Sequence, residues 1–459
     1  MKKLVSVLTA VVLVCTMVLA TGCTTENDET SDKTVKNDIY EIYQELSAAS
    51  EDARSVSDIS DWIYNWAEKH DMTVDRIGSD NLLITKGETN SYSGVQTTTL
   101  QCGISRSDYK QYSQMAAIAL ATMKDATNHG KIKLLVTANI DKLSSKYLET
   151  DNLINLSYAK NTVLCSGSAA TREYTMTKSL SKTSTSGDKA YKITISGLEG
   201  GMSGDRSRTH PNPTEAIASL INKCQSSGMV IEIAKFTGGG SYDTYPQSAS
   251  ITVVVDKNDS TKFEKRVQNA KADYQDKYVS KESDLNYDLT SVSKPSKVYK
   301  SSDASDVLSL MYTMSDGVYA TIDGNDNSDP IAVSNLGYLR MTGSKFTAKV
   351  SARSLDADET KIMDNEFKAT ADLNDMSFRK SKTTGLWPYD QNSKLAKSFK
   401  TASDEYALGL SASSTFMKND CAVLYKKKSD LNMIAVYSNI EEGFNISKSL
   451  MLFFQNLAD

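Results

Sequence analysis

The stretch from Ile195 to Cys224 constrains the fold most, because a strand, a glycine-rich loop and a helix follow one another there. Tyr191 to Ser196 alternates apolar and polar side chains, which predicts a half-buried strand. Pro211 to Ile221 has the spacing of an amphipathic helix. The glycines between them allow positive φ or close backbone approach: Gly197, Gly200, Gly201 and Gly204. Spacing alone favours a structural loop between strand and helix.

The N-terminus resembles a bacterial lipoprotein signal. Lys2 and Lys3 precede an apolar run from Leu4 to Ala20, and small residues lead directly to Cys23. We therefore expect a signal peptide over residues 1–22, lipid on Cys23 and an extracytoplasmic, membrane-anchored protein. An ordinary signal peptide or a short anchor helix is the alternative. Residues 23–36 are polar and predict a disordered tether.

The overall balance is that of an ordinary globular chain. The formal charge is −5, with 24% charged and 39% hydrophobic residues. The chain has no excess of basic residues, so its composition does not indicate a nucleic-acid partner. The remaining cysteines of the mature chain form no CxxC pair and are interpreted as buried small residues: Cys102, Cys165, Cys224 and Cys421.

Hydrophobic periodicity predicts alternating helices and strands before the glycine-rich stretch. Helices are expected over Asp38–Ala49, Val56–His70 and Gln114–Lys124, and strands over Asn81–Thr85, Thr97–Gln101, Ile132–Thr137 and Leu153–Leu156. This alternation indicates an α/β layer fold.

Several motifs resemble those of the zinc-dependent Xaa-His dipeptidases, also called aminoacyl-histidine dipeptidases. GLEGGMSGD followed by NPTEAI is similar to the lid signature of that family, with Met202 at its histidine. Other similar segments are SDNLLITKGE, HGKIKLLVTANID, DNLINLS, DGVYATIDGNDNSDPIAVSNLG, SKFTAKVSARSLD and DLNMIAVYSNIEEGF. Their order covers the chain from about Asp38 to the C-terminus.

The resemblance implies an α/β, two-domain, zinc-exopeptidase-like architecture. A discontinuous catalytic-type α/β domain would comprise residues 37–170 and 382–459, with an inserted α+β lid domain over 171–381. The polar stretch from Asp256 to Ser302 would lie inside the lid.

The residues at the family's metal and catalytic positions do not suit zinc. In the family these positions hold metal ligands and a general base; here they read Gly103-Ile104-Ser105, Gln111, Ile140, Asp141, Ser157 and Phe444. Only Asp141 retains a ligand type, whereas a two-zinc hydrolase needs several converging His, Asp and Glu and a base for its water. The chain's histidines, His70, His129 and His210, lack ligand-pair spacing and are interpreted as structural. The resemblance thus implies a pseudoenzyme with no catalytic residue, no metal and no cofactor.

The lid's recognition residues have counterparts in this chain. The family uses such residues to hold the carboxylate end of its substrate, and the matching positions are Gly201, Ser203, Asn335 and Arg353. Arg353 could bind a carboxylate through two hydrogen bonds. The alternative is that Arg353 pairs with a structural acid and the glycines only shape a turn.

Three functions remain open at this point. The first is a lipid-anchored, inactive relative of the dipeptidases that binds a peptide, an envelope component or a protein. The second is an active dipeptidase or other hydrolase with an unrecognised metal site or a metal-free mechanism. The third is a structural protein that forms a homodimer through its lid.

The lipoprotein prediction can be tested at Cys23. We expect Cys23→Ala to remain unprocessed or to leave the lipid fraction, because the thiol carries the lipid. Detergent-phase partitioning and mass spectrometry of the N-terminal peptide measure this, with Thr25→Ala as the matched control. Wild-type processing and membrane binding of Cys23→Ala would show that the prediction is wrong.

Overall fold

A computed structural model describes residues 26–205, 210–322, 324 and 328–458. The predicted signal peptide and Cys23 lie outside the described residues. The helices are α1 Glu26–Asp52, α2 Val56–Lys69, α3 Tyr109–Asp125, α4 Pro213–Ser226, α5 Ser260–Tyr278, α6 Ser301–Thr313, α7 Ala357–Leu373, α8 Lys394–Asp404, α9 Asp420–Lys427 and α10 Gly443–Asn456. In this part of the chain, no helix is long and apolar enough to cross a membrane.

The strands fall into three stretches of the chain. The first stretch holds β1 Thr73–Ile77, β2 Asn81–Lys86, β3 Thr98–Gly103, β4 Ile132–Thr137, β5 Asn152–Tyr158 and β6 Val163–Ser168. The second holds β7 Ala170–Ser179, β8 Lys182–Ser184, β9 Lys189–Ser196, β10 Gly201–Met202, β11 Ile231–Gly239, β12 Thr244–Tyr245, β13 Ala249–Val255, β14 Asn286–Val292, β15 Lys297–Tyr299, β16 Gly317–Thr321, β17 Pro330–Thr342, β18 Lys345–Ser354 and β19 Ser377–Thr384. The last holds β20 Ala412–Thr415 and β21 Met433–Ser438.

Two large sheets define the architecture. An eight-stranded mixed sheet has the order β1-β2-β4-β3-β5-β21-β6-β20, so strands from the two ends of the chain share it. A nine-stranded sheet has the order β14-β9-β13-β11-β17-β18-β7-β19, with β16 paired to β17, and all its pairs are antiparallel. We call the unit around this second sheet the lid and the unit around the first sheet the catalytic-type domain. The predicted α/β fold class is confirmed.

The parallel strands of the first sheet set the position of the candidate site. β3 runs parallel to both β4 and β5, and β21 runs parallel to β5. Their carboxyl ends therefore meet at one edge, where α/β sheets commonly bind ligands.

Helix α1 differs from the sequence prediction. It begins at Glu26, inside the segment predicted as a disordered tether, so that prediction is wrong from residue 26 onward. The reason is an apolar stripe at helical spacing: Val35, Ile39, Ile42 and Leu46 are at most 4% exposed and pack in the core against α3. Asp32, in a turn of α1 before Val35, forms an ion pair with Lys448 of α10 at 2.8 Å. This pair joins the two helices.

The strand–loop–helix unit forms as predicted. β9 covers the predicted strand, and α4 begins after Asn212, whose side chain accepts a hydrogen bond from the Thr214 N–H. Pro213 occupies the first turn of the helix, where its missing N–H costs little. The cysteines are buried free thiols, as expected, and burial raises the pKa of Cys102 to about 12.

Lys86 ties strand β2 to the end of helix α3. Its Nζ donates to the carbonyl oxygens of Met123, Lys124 and Ala126 at 2.6, 3.1 and 2.8 Å. These carbonyls belong to the last turn of α3, where intrahelical donors run out and the helix dipole favours a cation. Lys86 thus fixes the helix whose first turn lies beside the candidate site.

We expect Lys86→Met to lower the free energy of unfolding by about 1–3 kcal/mol, because three partly buried carbonyls lose a charged donor. Chemical denaturation measures the change. Lys131→Met is the matched control, since Lys131 is an exposed lysine of the same region. Equal stability of the two variants would contradict the proposed cap.

Candidate functional site

The positions that matched metal ligands lie around one sheet edge. Gly103 ends β3, and Ser157 lies near the end of β5. Ile140 and Asp141 form a short 3-10 turn after β4, and Phe444 lies in the first turn of α10, after β21. Gln111 is exposed in the first turn of α3. These positions therefore follow the carboxyl ends of neighbouring parallel strands, and their side chains are mostly not metal ligands.

The ring of Tyr112 lies against Gly103. A Cβ added at Gly103 would lie 2.5 Å from Cε1 of Tyr112 and 3.0 Å from its Cδ1. Contacts below about 3 Å are not tolerated, so any larger residue at this position would displace the ring. The space beside the end of β3 is filled by an aromatic side chain.

A buried hydrogen-bond network crosses the central strands on the same face. Gln101 Nε2 donates to Thr137 Oγ1 at 3.0 Å and to Asp420 Oδ2 at 3.1 Å. Asn155 Nδ2 donates to Gln101 Oε1 at 2.5 Å, and Ser157 Oγ donates to Asn155 Oδ1 at 2.9 Å. Gln101 and Asn155 are fully buried. We call these five residues the Gln101 network.

Gln101, Asn155 and Asp420 were not among the residues predicted from the sequence. A signal existed, because an amide in a strand that is otherwise buried must find partners. Asp420 lies in the first turn of α9, more than 300 positions from Gln101 in the chain, so sequence alone did not pair them. Burial raises the pKa of Asp420, and the hydrogen bond from Gln101 opposes that shift.

The donor set does not fit a two-zinc centre. Amides and hydroxyls dominate the Gln101 network, and these are poor zinc ligands. Asp141 is exposed, and its backbone carbonyl accepts a hydrogen bond from Lys427 Nζ at 2.7 Å. Ile140 and Phe444 pack against neighbouring apolar clusters. Among the described residues, no group of three or more His, Cys, Asp or Glu side chains is placed to hold a metal ion.

The histidines are placed in structural surroundings. His70 stacks on Trp66 with ring centroids 3.9 Å apart, and its Nδ1 lies 2.7 Å from the Trp66 carbonyl. His129 is fully buried beside the Gly130 carbonyl, and burial lowers its pKa. His210 stacks on Tyr245 at 4.0 Å in the lid.

The lid residues chosen from the sequence do come together. Asn335 Nδ2 donates to Ser203 Oγ at 2.7 Å and to the Thr244 carbonyl at 3.0 Å. Ser203 N–H donates to the Asp243 carbonyl at 2.9 Å. Gly201 has φ of +139°, and a Cβ there would lie 3.1 Å from the His210 ring. Met202, at the family's histidine position, is 43% exposed.

Arg353 is engaged within the protein. Its Nη2 donates to Asp243 Oδ1 at 2.5 Å, and its Nη1 donates to the Phe416 carbonyl at 2.7 Å. Arg353 is 2% exposed, and Phe416 follows β20 of the catalytic-type domain. Arg353 therefore pairs with a structural acid, Asp243, which is the alternative to carboxylate binding given in the sequence analysis. Gly204 belongs to the same contact: its φ is +91°, and a Cβ would lie 2.6 Å from the Phe416 carbonyl.

We expect Gln101→Met to lower the free energy of unfolding by about 2–4 kcal/mol, because Asn155 Nδ2 and Asp420 Oδ2 lose their hydrogen bonds to Gln101. Denaturant unfolding measures this. Thr99→Val is the matched control: Thr99 is a buried residue of the same strand, and its hydroxyl has no hydrogen-bond partner within the described chain. That variant should be neutral or stabilising. A Gln101→Met variant as stable as Thr99→Val would show that the network contributes nothing.

Comparison with known proteins gives a structural match alone. No protein-family model matches the sequence, and no curated protein matches it. The structure of aminoacylhistidine dipeptidase from Vibrio alginolyticus is similar, with a TM-score of 0.70 and 15% identity, over 91% of this chain and 96% of that one. Human carnosine dipeptidase 1 has a TM-score of 0.49 at 8% identity, over 94% and 99%. Aminopeptidase PepT from Bacillus cereus has 0.46 at 10% identity, over 92% and 99%. The chain therefore has the two-domain fold seen in the Vibrio dipeptidase structure.

Proposed function

We propose that the protein is a lipid-anchored, extracytoplasmic binding protein that has the fold of a dipeptidase but does not hydrolyse peptides. One observation carries the proposal: the Gln101 network and the Tyr112 ring occupy the sheet edge at which the resemblance placed the metal ligands. A lipid anchor at Cys23 rests on the sequence pattern alone.

The chemistry of hydrolysis explains why these residues matter. A zinc peptidase needs a polarised water and a carboxylate that takes its proton. Ile140 stands at the position matched to that carboxylate, and an alkyl side chain transfers no proton. A general base contributes about 10²–10⁴ in rate, and the metal adds several kcal/mol of transition-state stabilisation. The chain's own groups at this edge supply hydrogen bonds instead.

Binding is favoured over a purely structural role by the lid. Ser203, Asn335 and Arg353 remain assembled beside the catalytic-type domain, and Asn335 Oδ1 and Arg353 Nε are buried without a hydrogen-bond partner in the described chain. A polar ligand that reaches this point would satisfy them. A peptide has both kinds of group, because its N–H can donate to Asn335 Oδ1 and its carbonyl or carboxylate oxygen can accept from Arg353 Nε.

We expect no turnover and no stoichiometric metal in the full-length protein. The test incubates it with Zn²⁺, Mn²⁺ or Co²⁺ and assays β-Ala-His and other Xaa-His dipeptides, while elemental analysis measures bound metal. An active aminoacylhistidine dipeptidase serves as the positive control. Near-stoichiometric zinc with turnover that disappears in Asp141→Ala would overturn the proposal.

A further inference from the structure

A groove lies between helices α4 and α5 of the lid, away from the sheet edge described above. It encloses about 460 Å³, the size of a small-ligand pocket. The helices run antiparallel there: Lys262 Nζ, early in α5, donates to the Ser227 carbonyl just after α4 at 3.2 Å. At the other end, Lys277 of α5 acts electrostatically on Glu215 of α4.

The groove has two cations at one end and a carboxylate with a neighbouring lysine at the other. Lys223 and Arg266 lie at one end, where the positive charge of Arg266 acts on Cys224. Glu215 lies at the other end, with Lys277 beside it, and Asp273 lies between the ends. Neither Lys223 nor Arg266 forms a salt bridge within the described part of the chain. Their charges are therefore available to a ligand.

The floor of the groove is aromatic and short of hydrogen bonds. Tyr274 and Tyr287 meet edge to face with ring centroids 5.9 Å apart. Both hydroxyls are buried without a hydrogen-bond partner in the described chain, and Tyr287 is 1% exposed. A buried polar group without a partner is costly, so a ligand that supplied acceptor atoms here would stabilise both hydroxyls.

The dimensions indicate the size of that partner. Glu215 and Lys223 are eight positions apart on α4, which at 1.5 Å per residue is about 12 Å. An extended peptide advances about 3.3–3.6 Å per residue, so three or four residues span this distance. A peptide backbone also supplies carbonyl acceptors for the tyrosine hydroxyls.

We propose that this groove binds a short peptide of about three or four residues, with its amino terminus at Glu215 and its carboxylate at Lys223 and Arg266. The inference deepens the proposed binding function and rests on it, since it names the ligand class and a site for that function. A lipid or nucleic acid would use the cations alone, whereas a zwitterionic peptide also has an ammonium group for Glu215.

The test is calorimetric titration of the full-length protein with Ala-Phe-Ala and with its N-acetylated and C-amidated forms. The free tripeptide should bind, and blocking either terminus should weaken binding about five- to tenfold, as expected for loss of a charge-assisted contact. The double variant Lys223→Ala, Arg266→Ala should bind the free peptide about five- to tenfold more weakly than wild type. Its affinities for the free and the C-amidated peptide should be equal. The Glu215→Gln variant should likewise bind the free and the N-acetylated peptide with equal affinity.

Lys265→Ala is the matched control, because Lys265 is an exposed neighbour of Arg266 that does not line the groove. It should bind like wild type, and thermal melting should show that all variants are folded. If no peptide bound, or if free and blocked peptides bound equally, the proposal of a peptide site in the groove would be wrong. Binding that is lost in Arg353→Met but kept in the groove variants would place the peptide between the domains, which refutes the groove and retains the proposed function. Metal-dependent cleavage of the tripeptide would refute the proposed function, while charge-dependent binding in the groove would still support this site.

Discussion

The side-chain amide of Gln101 joins the elements that meet at the centre of the catalytic-type domain. It links β3 to β4 through Thr137, to β5 through Asn155 and to α9 through Asp420. Both polar atoms of the amide are used, and hydrogen bonds are stronger in such a dry interior. Carboxylates clustered at the same edge would repel one another unless a cation joined them. The amides remove that requirement, because their donors and acceptors form hydrogen bonds with one another and add no charge.

Arg353 performs a related task between the domains. Its guanidinium has a lid carboxylate on one side and a catalytic-type-domain carbonyl on the other, both within 2.7 Å. A buried arginine is costly to desolvate and is tolerated only when several donors are engaged at once. The contact also explains Gly204, since any side chain there would meet the Phe416 carbonyl. The glycine-rich loop therefore serves the approach of the two domains as well as its own turn.

The sequence predicted regular elements well where one physical rule dominated. Alternation set β9, and the N-cap Asn212 with Pro213 set the start of α4. It failed at residues 26–36, where a polar composition concealed a helix whose buried stripe begins at Val35. The lack of metal-ligand side chains at the matched positions stays a prediction, because it depends on the resemblance and on residue identities alone. The sequence did not indicate the Gln101 network or the Tyr112 ring over Gly103, because both depend on contacts that only the folded chain brings together.

The two regions differ in how their polar groups are used. Around Gln101 the amide groups donate to and accept from one another, so they already have hydrogen-bond partners within the protein. A ligand arriving there would have to break buried bonds before forming its own. In the α4–α5 groove the tyrosine hydroxyls lack partners, and Lys223 and Arg266 have no salt bridge in the described chain. A ligand there gains contacts without breaking any. The free energy available for binding therefore lies on the lid rather than at the Gln101 network.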